Sequence, residues 1–301
     1  QVPAYLRGAE NKTPSFEKLK QSQKLRALIK KIFIYIMLTV GAITMVAPFL
    51  WMVTTSLKEA GQVFSFQKNW WEEWIPFTFA WKNYVKSWYV VPFAKFYLNS
   101  LFVTAAVTFG QVATSAMAAY SFSRLKFPGR EKIFFGYLAT MMVPGAVTMI
   151  PVFILLRNLG WVDTYKALII PGIFTAYGTF MLRQFFLTLP KELEDAAKID
   201  GCNYFGIFWK IILPLSKPAL ATLTTFTFMG AWMNFMWPLI VINTEDKFTL
   251  PVGLAYFQSL HHTDWTLLMA ASVMMILPIL IVFIFNQRFF VEGIKLTGIK
   301  G

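Results

Sequence analysis

Residues 194–214 read EDAAKIDGCNYFGIFWKIILP, a polar stretch that contains helix-ending Gly and Pro residues. Long apolar segments lie on both sides of it. A polar loop between apolar segments of this length is typical of a chain that crosses a bilayer more than once. The stretch therefore predicts a membrane protein with a structured loop outside the hydrocarbon.

The two apolar segments that flank this loop belong to a set of six. Each is nearly free of charge over its centre and long enough, at about 1.5 Å per helical residue, to cross ~30 Å of hydrocarbon. A spanning segment must satisfy its own backbone hydrogen bonds, so helices are predicted. The predicted fold class is all-α, a polytopic membrane protein with six transmembrane helices at about 33–56, 97–121, 133–156, 166–187, 218–242 and 266–287.

The composition agrees with this fold class. Of the 301 residues, 56% are hydrophobic and only 14% are charged, which is too apolar for an ordinary soluble domain. The net charge of +13 raises the possibility of nucleic-acid binding. If the N-terminus lies inside, however, 20 of the 28 Lys and Arg residues fall on the inner side and 8 on the outer side. The positive-inside rule then places both termini in the cytoplasm, and no nucleic-acid partner is predicted.

The polar segments outside the spans define the predicted domains. Residues 1–32 form a cytoplasmic N-terminal segment with an interfacial helix, for which a solvated tail is the alternative. Residues 33–290 form the transmembrane domain with a loop at 188–217, and residues 291–301 form a cytoplasmic tail. The outer loop 57–96 carries a cluster of tryptophans that indicates an interfacial aromatic belt, or less favourably a carbohydrate-stacking platform. These are Trp70, Trp71, Trp74, Trp81 and Trp88.

The loop at 188–217 is predicted to contain one short helix. Pro is favoured in the first helical turn and Gly just after the last, which brackets a helix at 190–201. Glu194 and Lys198 stand four residues apart on it, and we expect them to pair. Small residues leave the helix surface nearly bare, so the groove of another protein could approach its backbone. The simpler alternative is an amphipathic connector that lies on the membrane. The small residues are Ala196, Ala197 and Gly201.

The spacing within this loop resembles a known signature. Asp195-Ala196-Ala197 is followed after three residues by Gly201, and after nine more by Ile-x-Leu-Pro at 211–214. This pattern resembles the cytoplasmic loop of permease subunits in ATP-binding-cassette (ABC) importers. From about residue 97 to 301 the chain is similar to the six-span permeases of the maltose-transporter type, which take up carbohydrates. Further matching segments lie at 120–124, 144–151 and 287–293.

The resemblance implies the type I ABC importer permease fold and a place in the bacterial cytoplasmic (inner) membrane, in contact with lipid. It implies a heterodimer with a second, homologous permease and two copies of an ATP-binding-cassette ATPase, which hold the ATP and Mg while this chain binds no cofactor. An extracytoplasmic solute-binding protein would deliver a saccharide. The implied ATPase-coupling residues are Glu194, Asp195, Ala196, Ala197, Gly201, Ile211, Leu213 and Pro214.

The resemblance also assigns two more contact regions. Within residues 243–265, the binding protein would be reached through Thr249, Leu250 and Pro251. The tail at 292–301 would approach the ATPase pair.

Two positions depart from the family pattern. The family usually has Glu where this chain has Asp195, which puts only the fine detail of docking in doubt. Where related sequences carry a carboxylate in the fifth span, this chain has Asn234 nearby and no acid. Together with five lysines in the loop 57–96, this absence suggests an acidic, alginate-type oligosaccharide as solute. Each polar span residue could line the path or join helices by hydrogen bonds. The path candidates are Asn99, Gln111, Ser115, Trp232 and Asn234.

Other functions are less consistent with the sequence. It contains no phosphate-binding Gly-x-x-x-x-Gly-Lys-Ser/Thr motif and no arrangement of a nucleophile with a base, so this chain is not expected to be an enzyme. His261 and His262 are adjacent and are expected to be surface residues and not metal ligands. The main alternative is a secondary transporter driven by an ion gradient, which should carry ionisable residues in mid-span. A membrane-embedded enzyme should concentrate acids or histidines at one membrane face.

Overall fold

The fold is described from a computed structural model, which covers residues 16–64, 74–76, 78–258 and 263–297. The described residues are almost entirely helical, and within them strand pairing is limited to one bridge between Gln258 and Thr263. The chain divides into two units, residues 1–54 and 55–301. Four residues discussed above lie outside the described part, namely Trp70, Trp71, His261 and His262.

The first unit contains nearly all of one long helix, α1, which runs from Phe16 to Ser56 over 41 residues. Its part from Gln23 to Ser56 is apolar enough to span a membrane, and its most apolar 18-residue window has none of its residues buried. The sequence offers no Gly or Pro between residue 16 and Gly41 to interrupt the helix. The segment at 16–32 and the first span therefore form one continuous helix.

The second unit contains the remaining helices, several of them short. A π-helical segment at Phe208–Ile212 follows α9, and single 3-10 turns connect several others. The α-helices are α2 Lys82–Val90, α3 Phe93–Arg124, α4 Arg130–Ala139, α5 Gly145–Asn158, α6 Tyr165–Ile169, α7 Ala176–Thr188, α8 Glu192–Ile199, α9 Tyr204–Ile207, α10 Leu213–Leu215, α11 Lys217–Trp232, α12 Met236–Val241, α13 Leu250–Leu254 and α14 Trp265–Thr297.

Two of the six predicted spans are not straight. In the third, Arg130–Met142 and Gly145–Asn158 meet at an angle of 100°. Pro144 lies at this break, where it lacks an N–H and forces its predecessor out of helical geometry. The predicted fifth span, 218–242, is interrupted at residues 233–235 between α11 and α12, and Lys217–Trp232 meets the helical stretch before it at 79°. Four described helical segments could span a membrane, and the count reaches six only if each bent pair is one span.

Two buried apolar clusters hold the second unit together, and α3 contributes to both. One cluster surrounds Phe96, Trp232 and Leu250. The other surrounds Leu182 and Phe186 and includes residues of α8, α9 and α11. We call the end of the bundle that carries α8 the α8 side, and the end that carries α13 the α13 side. Because α3 is unbroken over 32 residues, it connects the two sides.

The close packing of α13 on α3 gives a test of this core. A Cβ added at Gly253 would collide with the ring of Phe96, which is fully buried. We expect Gly253→Ala to destabilise the chain by about 1–3 kcal/mol, the usual cost of overpacking a core. Thermal unfolding in detergent should show a lower midpoint. Gly136→Ala is the matched control, because nothing lies within 4 Å of its added methyl group. Equal midpoints for the two variants would contradict this packing.

Candidate functional site

The loop on the α8 side begins with a short helix, which is terminated by a turn at Gly201. This helix, α8, covers Glu192–Ile199, inside the predicted range 190–201. The N–H of Gly201 donates to the carbonyl of Lys198 at 3.0 Å, and that of Cys202 donates to Ala197 at 2.9 Å. This pair of bonds is a Schellman motif, which needs a left-handed residue, and Gly201 has φ +81°. The motif turns the chain sharply toward α9.

The predicted coupling residues do not share one surface. The side chains of Glu194 and Ala197 are buried within this chain, so Ala197 contributes no bare surface to a partner, contrary to the expectation. Exposed positions are Asp195, Ala196, Gly201 and Pro214, while Ile211 and Leu213 are half-buried.

The most exposed apolar residue of this loop was not predicted as a site. Ile199, the last residue of α8, is 87% exposed. Leu193 on the same helix is 44% exposed. Single exposed apolar side chains are common on protein surfaces, so Ile199 and Leu193 are candidates for a contact with another protein. In the sequence, the feature that could have identified Ile199 is a single Ile among polar residues of the loop.

The charged residues of α8 pair differently from the expectation. Lys198 contacts Asp195 at 2.9 Å and not Glu194, and the hydrogen bond to Asp195 raises the pKa of Lys198. The carboxylate of Glu194 instead contacts Nε of Arg124, the last residue of α3, at 2.7 Å. The predicted i, i+4 pair is wrong because Glu194 points into the bundle, toward the end of α3.

A cavity of about 910 Å³ lies within the second unit. None of the described residues that line it is charged, and three aromatic side chains border it, Tyr177, Phe226 and Trp237. Of the five path candidates, Gln111 and Asn234 line this cavity. The side-chain oxygen of Asn234 accepts a hydrogen bond from the N–H of Trp237 at 3.4 Å, near the start of α12.

Three interruptions of helical structure meet at this cavity. Gly145 and Ala146, just after the break at Pro144, are lining residues, as are Pro171 and Gly172 of a 3-10 turn. Asn234, in the break between α11 and α12, is another. Non-helical backbone at membrane depth is tolerated where it is buried in protein or lines a water-filled cavity. The arrangement therefore indicates a hydrated space between the helices.

The other three path candidates do not line the cavity. Asn99 donates to the carbonyls of Asp246 and Phe248 at 2.9 and 3.0 Å, which fixes the loop after α12. Trp232 is 1% exposed and donates from Nε1 to the carbonyl of Met275 at 2.9 Å. Ser115 is also buried. Asn99 and Trp232 therefore join separate parts of the bundle, whereas the hydroxyl of Ser115 has no hydrogen-bond partner among the described residues.

Asp163 organises the α13 side. Its carboxylate accepts from the backbone N–H groups of Asn243 and Thr244 at 3.0 Å, and from the hydroxyl of Thr244 at 2.6 Å. Lys247 contacts it at 2.9 Å. Desolvation raises the pKa of Asp163, but these hydrogen bonds outweigh it and hold the pKa well below its usual value. Asp163 therefore fixes the segment 243–247.

The residues that were predicted to contact a binding protein are mostly buried. Leu250 is fully buried and Thr249 is 4% exposed. The N–H of Leu250 donates to the hydroxyl of Ser100 on α3, and this bond anchors the start of α13. Pro251 is half-buried. The exposed residues nearby are those at 243–246.

Of the described lysines in the loop 57–96, Lys86 is exposed, but the other three are paired or buried. Lys82 pairs with Glu59 at 3.1 Å, and Lys95 pairs with Asp246 at 2.7 Å. Lys58 is 4% exposed. Lys68 lies outside the described residues. Counting charges in the loop 57–96 therefore overestimated the positive charge available to a solute.

Sequence reasoning missed Arg124 and Asp163 as well as Ile199. An Arg at the end of an apolar span is normally attributed to the positive-inside rule. No nearby sequence pattern indicates that Arg124 pairs with Glu194. Asp163 is the only described residue other than Gly with positive φ, and its role depends on a segment about 80 residues later in the chain.

Known proteins resemble this chain over most of its length. A profile of the family described as "Binding-protein-dependent transport system inner membrane component" matches residues 111–294. The arabinooligosaccharides transport system permease protein AraQ of Halalkalibacterium halodurans is 42% identical over 203 residues, which are 67% of this chain and 73% of that protein. The probable ABC transporter permease protein YurM of Bacillus subtilis is 33% identical over 287 residues, 94% of this chain and 93% of that protein.

One solved structure is similar in both fold and sequence. It is a bacterial ABC transporter involved in the import of the acidic polysaccharide alginate. One of its chains matches with a TM-score of 0.78 and 25% identity, over 87% of this chain and 96% of that chain. A bacterial alginate ABC transporter in complex with an alginate pentasaccharide-bound periplasmic protein matches at a TM-score of 0.60 and 12% identity, which supports the fold alone.

The contacts of Asp163 predict how acid affects the chain. A carboxylate with a lowered pKa in the folded state stabilises the fold above its unfolded pKa of about 4 and loses that contribution as the pH falls. We expect Asp163→Asn to lower the unfolding midpoint at pH 7 and, between pH 7 and about pH 2, to weaken the part of its fall that occurs below about pH 5. Thermal unfolding across this range measures both effects. Asn243→Ala is the control, because Asn243 bonds Asp163 through its backbone. Parallel pH profiles for wild type and Asp163→Asn would contradict the assignment.

Proposed function

The chain belongs to the family of inner-membrane components of binding-protein-dependent transport systems, and we propose that it is one permease subunit of an ATP-driven importer of saccharides. It is a transport component and not an enzyme. The cavity carries the proposal, since three helix interruptions line a space with hydrogen-bonding and aromatic groups and without charged described residues. Hydroxyl-rich solutes need hydrogen bonds and flat apolar faces more than they need charge.

We propose an uncharged oligosaccharide as the solute. The 42% identical relative is named for arabinooligosaccharides, whereas the importer named for alginate matches at 25% identity. An acidic sugar would enter this cavity without a cationic partner from the described residues of this chain, and moving an unpaired charge out of water is costly. An alginate-type solute is the competing outcome, supported by the similarity in fold.

The α8 side is proposed to receive the ATPase subunits, which would hold ATP and Mg. The exposed residues of α8 form the candidate contact, with Ile199 as the apolar anchor and Asp195, Ala196 and Gly201 beside it. We also propose that both termini lie in the cytoplasm, as the positive-inside rule predicts. The α13 side would then face the binding protein through residues 243–246. A second, homologous permease would complete the path.

An ion-driven secondary transporter fits the described spans less well. Their ionisable side chains lie near the helix ends, such as Lys95 and Arg124 on α3 and Lys217 on α11. Proton- or sodium-driven transport requires such groups near the middle of the membrane. The Lys and Arg residues at these ends are instead consistent with interfacial positions.

The cavity residues give a direct test of transport. In vesicles that contain the assembled importer, Asn234→Ala and Gln111→Ala should each lower the initial uptake of an arabinose oligomer about 2- to 10-fold, the value of one hydrogen bond. Thr140→Ala is the control, because Thr140 bonds its own helix at Tyr137 and does not line the cavity. Unchanged uptake in the Asn234→Ala, Gln111→Ala double variant would remove these residues from the path.

The same vesicles test the charge of the solute. Arabinose and alginate oligomers are each supplied with a binding protein that recognises them, and uptake is measured with and without ATP. We expect the wild type to take up the neutral oligomer only, and only with ATP. Equal uptake of the alginate oligomer would overturn the neutral-solute part of the proposal. Uptake without ATP would overturn the importer itself.

The ATPase contact is tested at Ile199. Because its side chain is 87% exposed, Ile199→Asp should leave this chain folded. A carboxylate at an apolar anchor loses contact area and must be desolvated, so we expect at least a tenfold loss of co-purified ATPase, or about 1.4 kcal/mol or more. Lys217→Gln, an exposed change outside α8, is the control. Full recovery of the ATPase with Ile199→Asp would contradict the proposed docking surface.

A further inference from the structure

Arg124 lies at the junction of the two proposed sites. It is the last residue of α3, whose earlier residues Ser100, Thr104 and Gln111 line the cavity. Between Gln111 and Arg124 the helix is unbroken and about 20 Å long, at 1.5 Å per residue. A displacement of Arg124 along or across the helix axis therefore moves the cavity wall.

The guanidinium of Arg124 joins three helix ends. Its Nε contacts the carboxylate of Glu194 on α8 at 2.7 Å. Its Nη2 donates to the carbonyls of Phe186 and Leu189 at 2.7 and 2.8 Å, at the end of α7. Both carbonyls lack an i+4 partner within α7, although that of Phe186 also accepts from the N–H of Leu189, and they lie at the negative end of the helix dipole, so a cation suits them. One side chain thus fixes α3, α7 and α8 to one another.

Burial makes this connection resistant to slipping. The side chains of Arg124 and Glu194 are only 3% and 8% exposed. Separating them would leave two buried charges without a counter-charge, which is far more costly than separating an exposed pair. If α8 is displaced, the lower-energy response is for the ends of α3 and α7 to follow.

A second attachment lies one turn earlier on α3. The hydroxyl of Tyr120 donates to the carbonyl of Tyr204 at 3.1 Å, at the start of α9. Because Gly201 lies between α8 and α9, α3 holds the loop on both sides of this turn. The loop is therefore attached to α3 at two points.

We propose that Arg124 is the positioning residue that transmits displacement of α8 to the cavity-lining helices α3 and α7. This inference rests on the proposed function, in which the ATPases act on α8. Tyr177 on α7 also lines the cavity, so the same guanidinium reaches two of its walls. Without the pair, the ATPases could still dock and hydrolyse ATP, but their movement would reach the cavity less efficiently.

The test measures solute transported per ATP hydrolysed. The complete importer is reconstituted in vesicles with its binding protein and an arabinose oligomer, for the wild type, Arg124→Gln, Glu194→Gln and the double variant. We expect each single variant to lower the ratio at least about fivefold, the lower end of typical coupling between sites. Because one connection is lost only once, the double variant should be no worse than the singles.

A purely structural role gives a different result. It would lower the amount of assembled importer, and with it ATP hydrolysis and transport alike, so the ratio would stay at the wild-type value. An unchanged ratio in all three variants overturns the inference, as does a double variant in which the two effects multiply. Lys82→Gln, which breaks the exposed pair with Glu59, is the control and should keep the wild-type ratio.

If the Arg124 and Glu194 variants do not assemble, Tyr120→Phe tests whether displacement is transmitted through α3. It removes one hydroxyl from the second attachment and leaves the ring packing of Tyr120 with Phe208 in place. We expect a smaller but measurable fall in the ratio, and an unchanged ratio would reject transmission through α3. ATP-independent or absent uptake in the wild type would instead refute the proposed function, which separates the two failures.

Discussion

In hydrocarbon, every backbone N–H and C=O group needs a partner within the protein or in trapped water, and this constraint governs where the helices of this chain can stop. The described helices are interrupted at Pro144, near Pro171 and at Asn234, and residues at all three places line one cavity. The freed backbone groups can be hydrated there. The cavity is therefore a consequence of where the helices break, as well as a space between side chains.

The same constraint operates at the end of α7, where the last carbonyls lack the i+4 N–H partner that they would have inside a helix. Arg124 supplies donors to two of them and pairs with Glu194 through Nε. A lysine has one compact ammonium group and cannot reproduce this planar arrangement of donors. The requirement for satisfied backbone groups thus places a buried cation at the α8 side, and the cation in turn orients α8.

Sequence reasoning was effective where the signal is local. Apolar runs predicted an all-α membrane fold, and the position of Gly201 follows from the left-handed geometry that ends α8. Sequence reasoning failed where two residues or partners are chemically equivalent and only tertiary contacts distinguish them. Glu194 had a partner in its own helix, Lys198, yet pairs with Arg124. Asn99 and Asn234 were equal candidates for the path, but only Asn234 faces the cavity.

The cavity and the contact at Arg124 need opposite kinds of interaction, one weak and one strong. The chain provides them on the same helix, at Gln111 and at Arg124 of α3. A transported solute must be bound weakly enough to leave, which uncharged hydrogen-bonding groups such as Gln111 allow. A link that transmits displacement must not yield before the helices move. A buried ion pair with additional carbonyl contacts meets that requirement, because its separation costs more than the small tilts that a helix bundle accommodates. An exchange of the two chemistries would impair both processes: a charge in the cavity would retain or exclude solutes, and a neutral contact at Arg124 would let α8 slip.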